Sequence, residues 1–301
     1  MTAVIQTEQL TKSYGQFRGI VEVNLAVNQG EIFGFLGPNG AGKTTTIRTL
    51  LDLIRPTSGR ALVFGIESSA DPVAIHRRIG YLPGEFTLYD RLTGAETIEY
   101  FANLRGTVDK AYSDSLVERL QLDTSRRFRE YSKGNKQKVG LVCAIQHKPE
   151  LLILDEPTAG LDPLVQQTFN QLLFEARAEG RTVFLSSHII SEVERTCDRV
   201  AIIREGRIVR LDTVDAIRDI AAHEVELRFA DPVPGSAFAS IPGVSGLVEE
   251  GRTLRMRVTG PIAPIVRLAG QHELVDFVSR EPSLEEVFLS EYETVPPSSG
   301  R

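Results

Sequence analysis

Three short stretches hold the residue types best suited to chemistry. GPNGAGKTT, residues 37 to 45, fits G-x-x-x-x-G-K-[ST], with a strand-like run (EIFGFLG) before it and a helical run after it. Gly37, Gly40 and Gly42 let backbone N–H groups close around phosphate oxygens, Lys43 places a point charge near the β and γ phosphates, and Thr44 offers a hydroxyl to Mg²⁺. A glycine-rich turn with a chance GKT is the plain alternative, and the flanking strand and helix argue against it. LLILDEP, residues 151 to 157, is an apolar strand with two acids at its carboxyl end, where open α/β sheets place ligands. Asp155 suits an outer hold on the metal, and Glu156 suits a base for an attacking water. Two acids that only end a strand and cap the next segment would read the same way.

The third stretch, YSKGNKQKV at 131 to 139, reads as a helix entrance: Ser132 and Gly134 precede Val139, Leu141, Val142 and Ile145 at helical spacing. The exposed N–H groups of such an entrance suit an anion, although an ordinary capped surface helix has the same pattern. His188, after the strand TVFLSS, could donate to a γ phosphate or be a satisfied loop residue. Asp162 in AGLDP fits a turn or a helix cap before Pro163.

The elements that must position these groups alternate in period. IVEVNLAV (20 to 27) places Val21, Val23, Leu25 and Val27 on one face of a strand, and a helix is expected from Lys43 to Ile54, ending before Pro56. Residues 93 to 147 read as successive helices, with Thr93 and Glu96 forming a capping box. Strands return as LLILDEP, TVFLSS and RVAIIREG with helices between, which predicts a largely parallel sheet covered on both faces and a helical insert. After residue 221 the pattern predicts a small α+β appendage: a strand EVELRFA, a hairpin turning near Gly251, a short helix PIVRLAG, a strand LVDFVSR and a capped helix SLEEVFLSEY. The tail VPPSSGR is expected to fray.

Composition narrows the class. The chain has 301 residues, enough for about two domains, and a net charge of −6 from 40 acidic and 34 basic residues, which lends no general support to a nucleic-acid or anionic-membrane partner. Cys143 and Cys197 lie in no CxxC pair, so they are expected to be buried thiols in a reducing compartment. The opening MTAVIQTEQL shows no signal region and LLIL is far shorter than a bilayer span, so the chain is expected in the cytosol, reaching a membrane only through a partner.

In order, GPNGAGKTT, YSKGN, LILDEP, AGLD and His188 resemble the nucleotide-binding subunit of ABC transporters over residues 3 to 218. The resemblance implies a P-loop NTPase α/β fold of the ABC ATPase type, with a RecA-like core sheet in a domain of residues 1 to 220, a helical subdomain at 86 to 148, an accessory α+β domain at 221 to 295 and a tail at 296 to 301. It implies ATP and Mg²⁺ as cofactors. Lys43, Glu156 and His188, the last as a switch histidine, would carry catalysis. Gly37, Pro38, Asn39, Gly40, Ala41, Gly42, Lys43, Thr44 and Thr45 would hold the phosphates, Tyr14 would stack on adenine, and Thr44 and Asp155 would bind the metal. Ser132 and Gly134 would meet the γ phosphate of an ATP held by another subunit, with Asp162 in the loop between the two sites.

The implied partners are a second copy or a homologous ATPase subunit and an integral membrane permease, with no nucleic acid, at the cytoplasmic face of the cell membrane. Two departures stand out. Tyr131, Lys133 and Asn135 replace the first, third and fifth residues of the usual LSGGQ, in a form that resembles the drug-exporter branch. Gly84 in IGYLPGEF stands where the family has a Gln reaching the metal and the water, leaving Glu85 or solvent to serve. The closing EPSLEEVFLSEY is similar to the last helix of bacterial drug and antibiotic exporter ATPases. Phe86, Leu88 and Tyr89 are candidate contacts to a permease, or equally core residues.

The implied activity is ATP hydrolysis that energises export of a drug, antibiotic or lipid-like substrate; an importer subunit or a non-transport ABC-type ATPase is the alternative. DNA-repair and chromosome-structuring ATPases place long coiled coils or zinc modules between the phosphate loop and the signature, and Thr44 to Ser132 holds neither sustained heptads nor CxxC. A GTPase is disfavoured because Lys138 stands where NKxD needs a carboxylate.

Overall fold

A computed structural model describes residues 2–15, 17–87, 90–106, 108–220 and 223–280. It divides into two compact units, Met1–Leu211 and Asp212–Arg301. In the first, β1 (Ala3–Tyr14) and β2 (Phe17–Asn28) form a hairpin, followed by β3 (Ile32–Leu36), α1 (Lys43–Leu50), β4 (Ser58–Val63), β5 (Ile66–Glu67), α2 (Pro72–Arg77) and β6 (Ile79–Leu82). The helices α3 (Gly94–Arg105), α4 (Lys110–Arg119) and α5 (Lys133–Ile145) come next, and then β7 (Leu151–Asp155), α6 (Pro163–Ala178), β8 (Thr182–Ser187), α7 (Ile190–Thr196), β9 (Arg199–Arg204) and β10 (Arg207–Thr213).

The strands sort into two sheets for a reason visible in their side chains. β3, β7 and β8 are buried along their whole length, as strands covered on both faces must be, and they pair in parallel within the order β10-β9-β3-β8-β7-β6. This is the expected largely parallel sheet, and a second, antiparallel sheet of order β2-β1-β4-β5 that the sequence reading did not foresee accompanies it. Its strand β1 mixes polar and apolar residues (AVIQTEQLTKSY), the composition of a strand wet on one side. The expected inward face of β2 also shifts. Glu22 adopts φ +50 within an irregular β1–β2 register, so Ile20, Val23, Leu25 and Val27 are buried while Val21 is only partly so. Helix α1 ends at Leu50 rather than Ile54, because the chain turns through a left-handed Asp52.

The helical stretch forms as its caps dictate. Thr93 Oγ1 accepts from Glu96 N (3.2 Å) and Glu96 Oε2 accepts from Thr93 N (2.7 Å), the capping box that opens α3. Val139, Leu141, Val142 and Ile145 of α5 are all buried, as their spacing requires. Behind them, the buried Gln146 joins three helices: Ser113 Oγ of α4 donates to its Oε1 at 3.0 Å, and its Nε2 donates to Ile98 O of α3 at 3.1 Å. Phe86 is half-buried, edge-on to Phe128 at 5.8 Å; Leu88 and Tyr89 lie outside the described residues.

The second unit runs α8 (Val214–Ile220), β11 (His223–Phe229), α9 (Ser236–Ala239), β12 (Val244–Glu250), β13 (Thr253–Val258), α10 (Ala263–Ala269) and β14 (Leu274–Arg280). Its antiparallel sheet has the order β12-β13-β11-β14, and Phe238 of α9 and Ile265 of α10 complete a core with Leu227, Phe229 and Leu254. The hairpin turns at Gly251 (φ +64), and the expected helix at SLEEVFLSEY lies outside the described residues. Both cysteines are buried, which pushes their thiols up to about 12. Among the described residues no helix is long and apolar enough to cross a membrane.

One partly buried titrating group makes the first unit acid-sensitive. His147, just beyond α5, places Nε2 3.2 Å from Ile79 O, and burial, aided by the Arg105 charge, lowers its pKa to about 4. Between about pH 6.5 and 4 the unfolded imidazole takes up a proton that the folded one refuses, so stability is present above that window and falls as pH drops through it. His147→Gln keeps a donor for Ile79 O and removes the titration. Thermal midpoints should therefore fall less between pH 7 and pH 5 in the variant than in the parent; equal falls would exclude His147 as a source.

Candidate active site

The site grows out of the carboxyl ends of β3 and β7. After Leu36 the chain must pass between neighbours that leave no room for side chains: a Cβ on Gly37 would lie 2.4 Å from Ile203 O, and one on Gly42, at φ +112, 2.7 Å from Ile20 Cγ2. The loop then delivers Lys43 as the first residue of α1, itself buried. Its ammonium donates to Gly37 O (2.6 Å) and Pro38 O (3.2 Å), and lies 3.1 Å from Glu156 Oε1. One residue on, Thr44 Oγ1 donates to Asp155 Oδ2 at 2.7 Å.

Parallel pairing of β7 with β8 sets Asp155 beside Ser186. Ser186 Oγ donates to Asp155 Oδ1, while the carbonyl and hydroxyl oxygens of Ser186 accept from Glu156 N at 3.1 and 3.2 Å. Glu156 itself sits at φ +50, a left-handed conformation that a side chain tolerates only under restraint. That turn presents its carboxylate to Lys43 on one oxygen and to His188 Nδ1, 2.7 Å away, on the other.

Tyr14, Gly19, Asn39, Gly40, Gly42, Lys43, Thr44, Thr45 and Glu156 line a cleft of about 290 Å³. Its chemistry is that of an anion site with a base beside it: a buried ammonium, the N–H groups opening α1, and a carboxylate. Tyr14 is 45% exposed and offers a ring face at the rim, with Lys12 Nζ 5.4 Å from its centroid. The Thr44 hydroxyl and the Asp155 carboxylate are adjacent oxygen donors of the kind Mg²⁺ prefers.

Gly37, Pro38, Ala41, Asp155 and His188 do not line the cleft but adjoin residues that do, whereas Ser132, Gly134 and Asp162 stand apart from it. Ser132 caps α5, its Oγ accepting from Asn135 N at 3.3 Å, and Gly134 packs so tightly on the next loop that a Cβ would lie 2.2 Å from Gly160 O. Asp162 caps α6: its Oδ1 accepts from Val165 N at 3.0 Å, which holds its carboxyl below the usual range, and Lys138 Nζ is 3.9 Å from its other oxygen. At Gly84 a Cβ would begin 3.3 Å from Asp155 Oδ2, the oxygen that receives Thr44. Nearby, burial and the Asp155 charge push the Tyr81 hydroxyl up to about 12.

Sequence reading missed Gly19, Ser186 and Gln137. Ser186 had a signal, a polar residue ending an apolar strand two positions before His188. Gln137 had none; buried in α5, its Nε2 donates to Glu156 O and Pro157 O, both at 3.1 Å.

Known proteins similar to this chain share one family description. The family model described as ABC transporter matches residues 20–159. The chain is 41% identical over 234 residues to a bacitracin transport ATP-binding protein of Bacillus licheniformis, covering 77% of this chain and 76% of that one. It is 34% identical over 243 residues to a probable multidrug ABC transporter ATP-binding protein of Escherichia coli, covering 79% of this chain and 41% of the other. An uncharacterised ABC transporter ATP-binding protein of Methanocaldococcus jannaschii matches at 30% over 296 residues, 97% of this chain and 100% of its own length. Among solved structures, an ATP-binding subunit of an ABC transporter is similar with a TM-score of 0.66 at 33% identity, over 71% of this chain and 92% of that one.

The tight approach of Gly134 to Gly160 yields a direct check. Gly134→Ala must displace the Gly160 carbonyl, so the unfolding free energy should fall by about 1–3 kcal/mol. Urea denaturation of parent and variant measures it, and an unchanged midpoint would mean that the loop yields without cost.

Proposed function

The chain belongs to the ABC transporter family as an ATP-binding, ATP-hydrolysing subunit, and from that premise we propose that two copies, or one copy and a homologous subunit, close around two ATP molecules to drive export through a separate membrane permease. The proposed cargo is a drug, antibiotic or lipid-like molecule, a reading supported by relatives named for bacitracin and multidrug transport. The subunit would then sit at the cytoplasmic face of the membrane, held there by the permease.

The observation that carries the proposal is the convergence of Lys43, Glu156 and His188 beside the Thr44–Asp155 pair. The backbone of Gly37, Pro38, Asn39, Gly40, Ala41 and Gly42, with Thr45, would cradle the phosphates, and the Lys43 ammonium would neutralise them. Tyr14 would cover the adenine face at the cleft rim. Glu156 would take a proton from the attacking water, with His188 fixing its carboxylate and donating toward the γ phosphate. Thr44 and Asp155 would hold Mg²⁺, which when bound supplies positive charge against the phosphate oxygens. Ser132 and Gly134, outside the cleft of their own chain, would complete the cleft of the second subunit, and Asp162 would lie along the joint.

Two variants test this reading. Glu156→Gln keeps the shape and removes the base, so hydrolysis should fall at least ~10²-fold while ATP-dependent dimers accumulate on size exclusion. Undiminished turnover would take Glu156 out of the mechanism. Gly84→Gln adds an amide that starts beside Asp155, and the Mg²⁺ concentration for half-maximal hydrolysis should move down; an unchanged Mg²⁺ dependence would show that the missing side chain was not limiting.

A further inference from the structure

Helix α5 grips the segment 156 to 162 at three places. Gly134 lies against Gly160, Lys138 faces Asp162 at 3.9 Å, and between them Gln137 Nε2 donates to the carbonyl oxygens of Glu156 and Pro157 at 3.1 Å each. The third contact is the most demanding. Gln137 is 2% exposed, so its amide has no water to fall back on, and the two carbonyls belong to the peptides directly after the left-handed Glu156. On the other side of the same residue, Glu156 N donates to Ser186. The backbone at Glu156 is therefore clamped from both sides: β8 holds its N–H and α5 holds its C=O.

We propose that Gln137 is a positioning residue for hydrolysis: its amide fixes the turn that aims the Glu156 carboxylate at Lys43 and His188. This deepens the proposed ATPase function and rests on Glu156 acting as the base. A left-handed conformation at a glutamate has to be imposed by its surroundings. Leu or Met in place of Gln137 keeps the volume and removes the donor, leaving two carbonyls unanswered and the turn able to relax. A relaxed turn displaces the carboxylate and leaves the phosphate loop untouched, because Lys43 and Thr44 hang on β3 and α1. The same amide links the base to the helix whose first turn carries Ser132 and Gly134, so an event at that helix entrance reaches the base through one side chain.

The test compares Gln137→Leu and Gln137→Met with the parent, alone and combined with Glu156→Gln. The expected result is a kcat lower by about 10- to 100-fold, with the KM for ATP and the ATP dissociation constant within about twofold of the parent. In the Glu156→Gln background either Gln137 variant should add less than about a twofold further loss and leave the ATP-dependent dimers intact, since a residue that acts only through the carboxylate has nothing left to position. The proposal is overturned if kcat is unchanged, if ATP affinity falls in step with kcat, if the losses multiply in the double variants, or if neither variant folds, which would make Gln137 a packing residue. Normal turnover in Glu156→Gln alone is a separate outcome: it defeats the assignment of the base, whatever the Gln137 variants do.

Discussion

A lysine ammonium buried against a carboxylate and two carbonyl oxygens is the interaction that the rest of the site depends on. Lys43 and Glu156 come from segments more than a hundred residues apart, and the glutamate is held in a backbone conformation it would not choose alone. Burying the ammonium and partly burying the carboxylate costs free energy before their attraction is counted, so the contact survives only where further polar groups complete it. Gly37 O and Pro38 O do so for the ammonium, and His188 does so for the carboxylate. Such an arrangement holds a charge where an anionic ligand can use it, at the expense of stability, and the stability must come from elsewhere in the fold. The parallel sheet supplies it: β3 and its neighbour β8 bury Phe33, Phe35 and Phe184, with Phe33 and Phe184 stacked 5.9 Å apart.

How far this was legible in the sequence depends on whether a residue's role is local. The tight glycine-bearing loop at 37 to 45 was legible because its constraint lies within nine consecutive residues flanked by a strand and a helix. Asp155 and Glu156 were legible from their place at the end of an apolar run, and the capping box of α3 from a four-residue spacing. The antiparallel sheet was not. β1 and β2 contain left-handed residues at Gln9 and Glu22 that break the two-residue period on which strand reading relies. Ser186 and Gln137 were missed for a different reason: their partners lie 31 and 19 residues away, and only the pairing of β8 with β7 and the packing of α5 on the same strand end make them neighbours. Asp162 shows a third case, where the modest reading of a helix cap is what the structure displays, and the role along a subunit joint is compatible with it.

The two departures from the family pattern have unequal physical weight. At 131 to 135 the changed side chains leave the features that matter to the backbone: Ser132 still caps α5, and Gly134 still accepts the approach of Gly160 that any side chain would forbid. Tyr131 even gains a use, its hydroxyl donating to Asp123 O at 2.5 Å and its ring meeting Phe128 edge-on, so the first position anchors the helix entrance from below. At Gly84 the change is subtractive. The position borders Asp155 Oδ2, and a glycine there offers that oxygen neither a donor nor a ligand.

A glycine at 84 also bears on which contacts join the cleft to the helical part of the unit. A side chain at that position would be one link from the carboxyl end of β6 to the Asp155 carboxylate, and here that link is absent. Other links run through α5, which packs Gly140 against Leu82 and Phe86 on one side and grips Glu156 to Asp162 through Gln137, Lys138 and Gly134 on the other. A helix is a stiff connector, so displacement of either end is felt at the other without any side chain at 84.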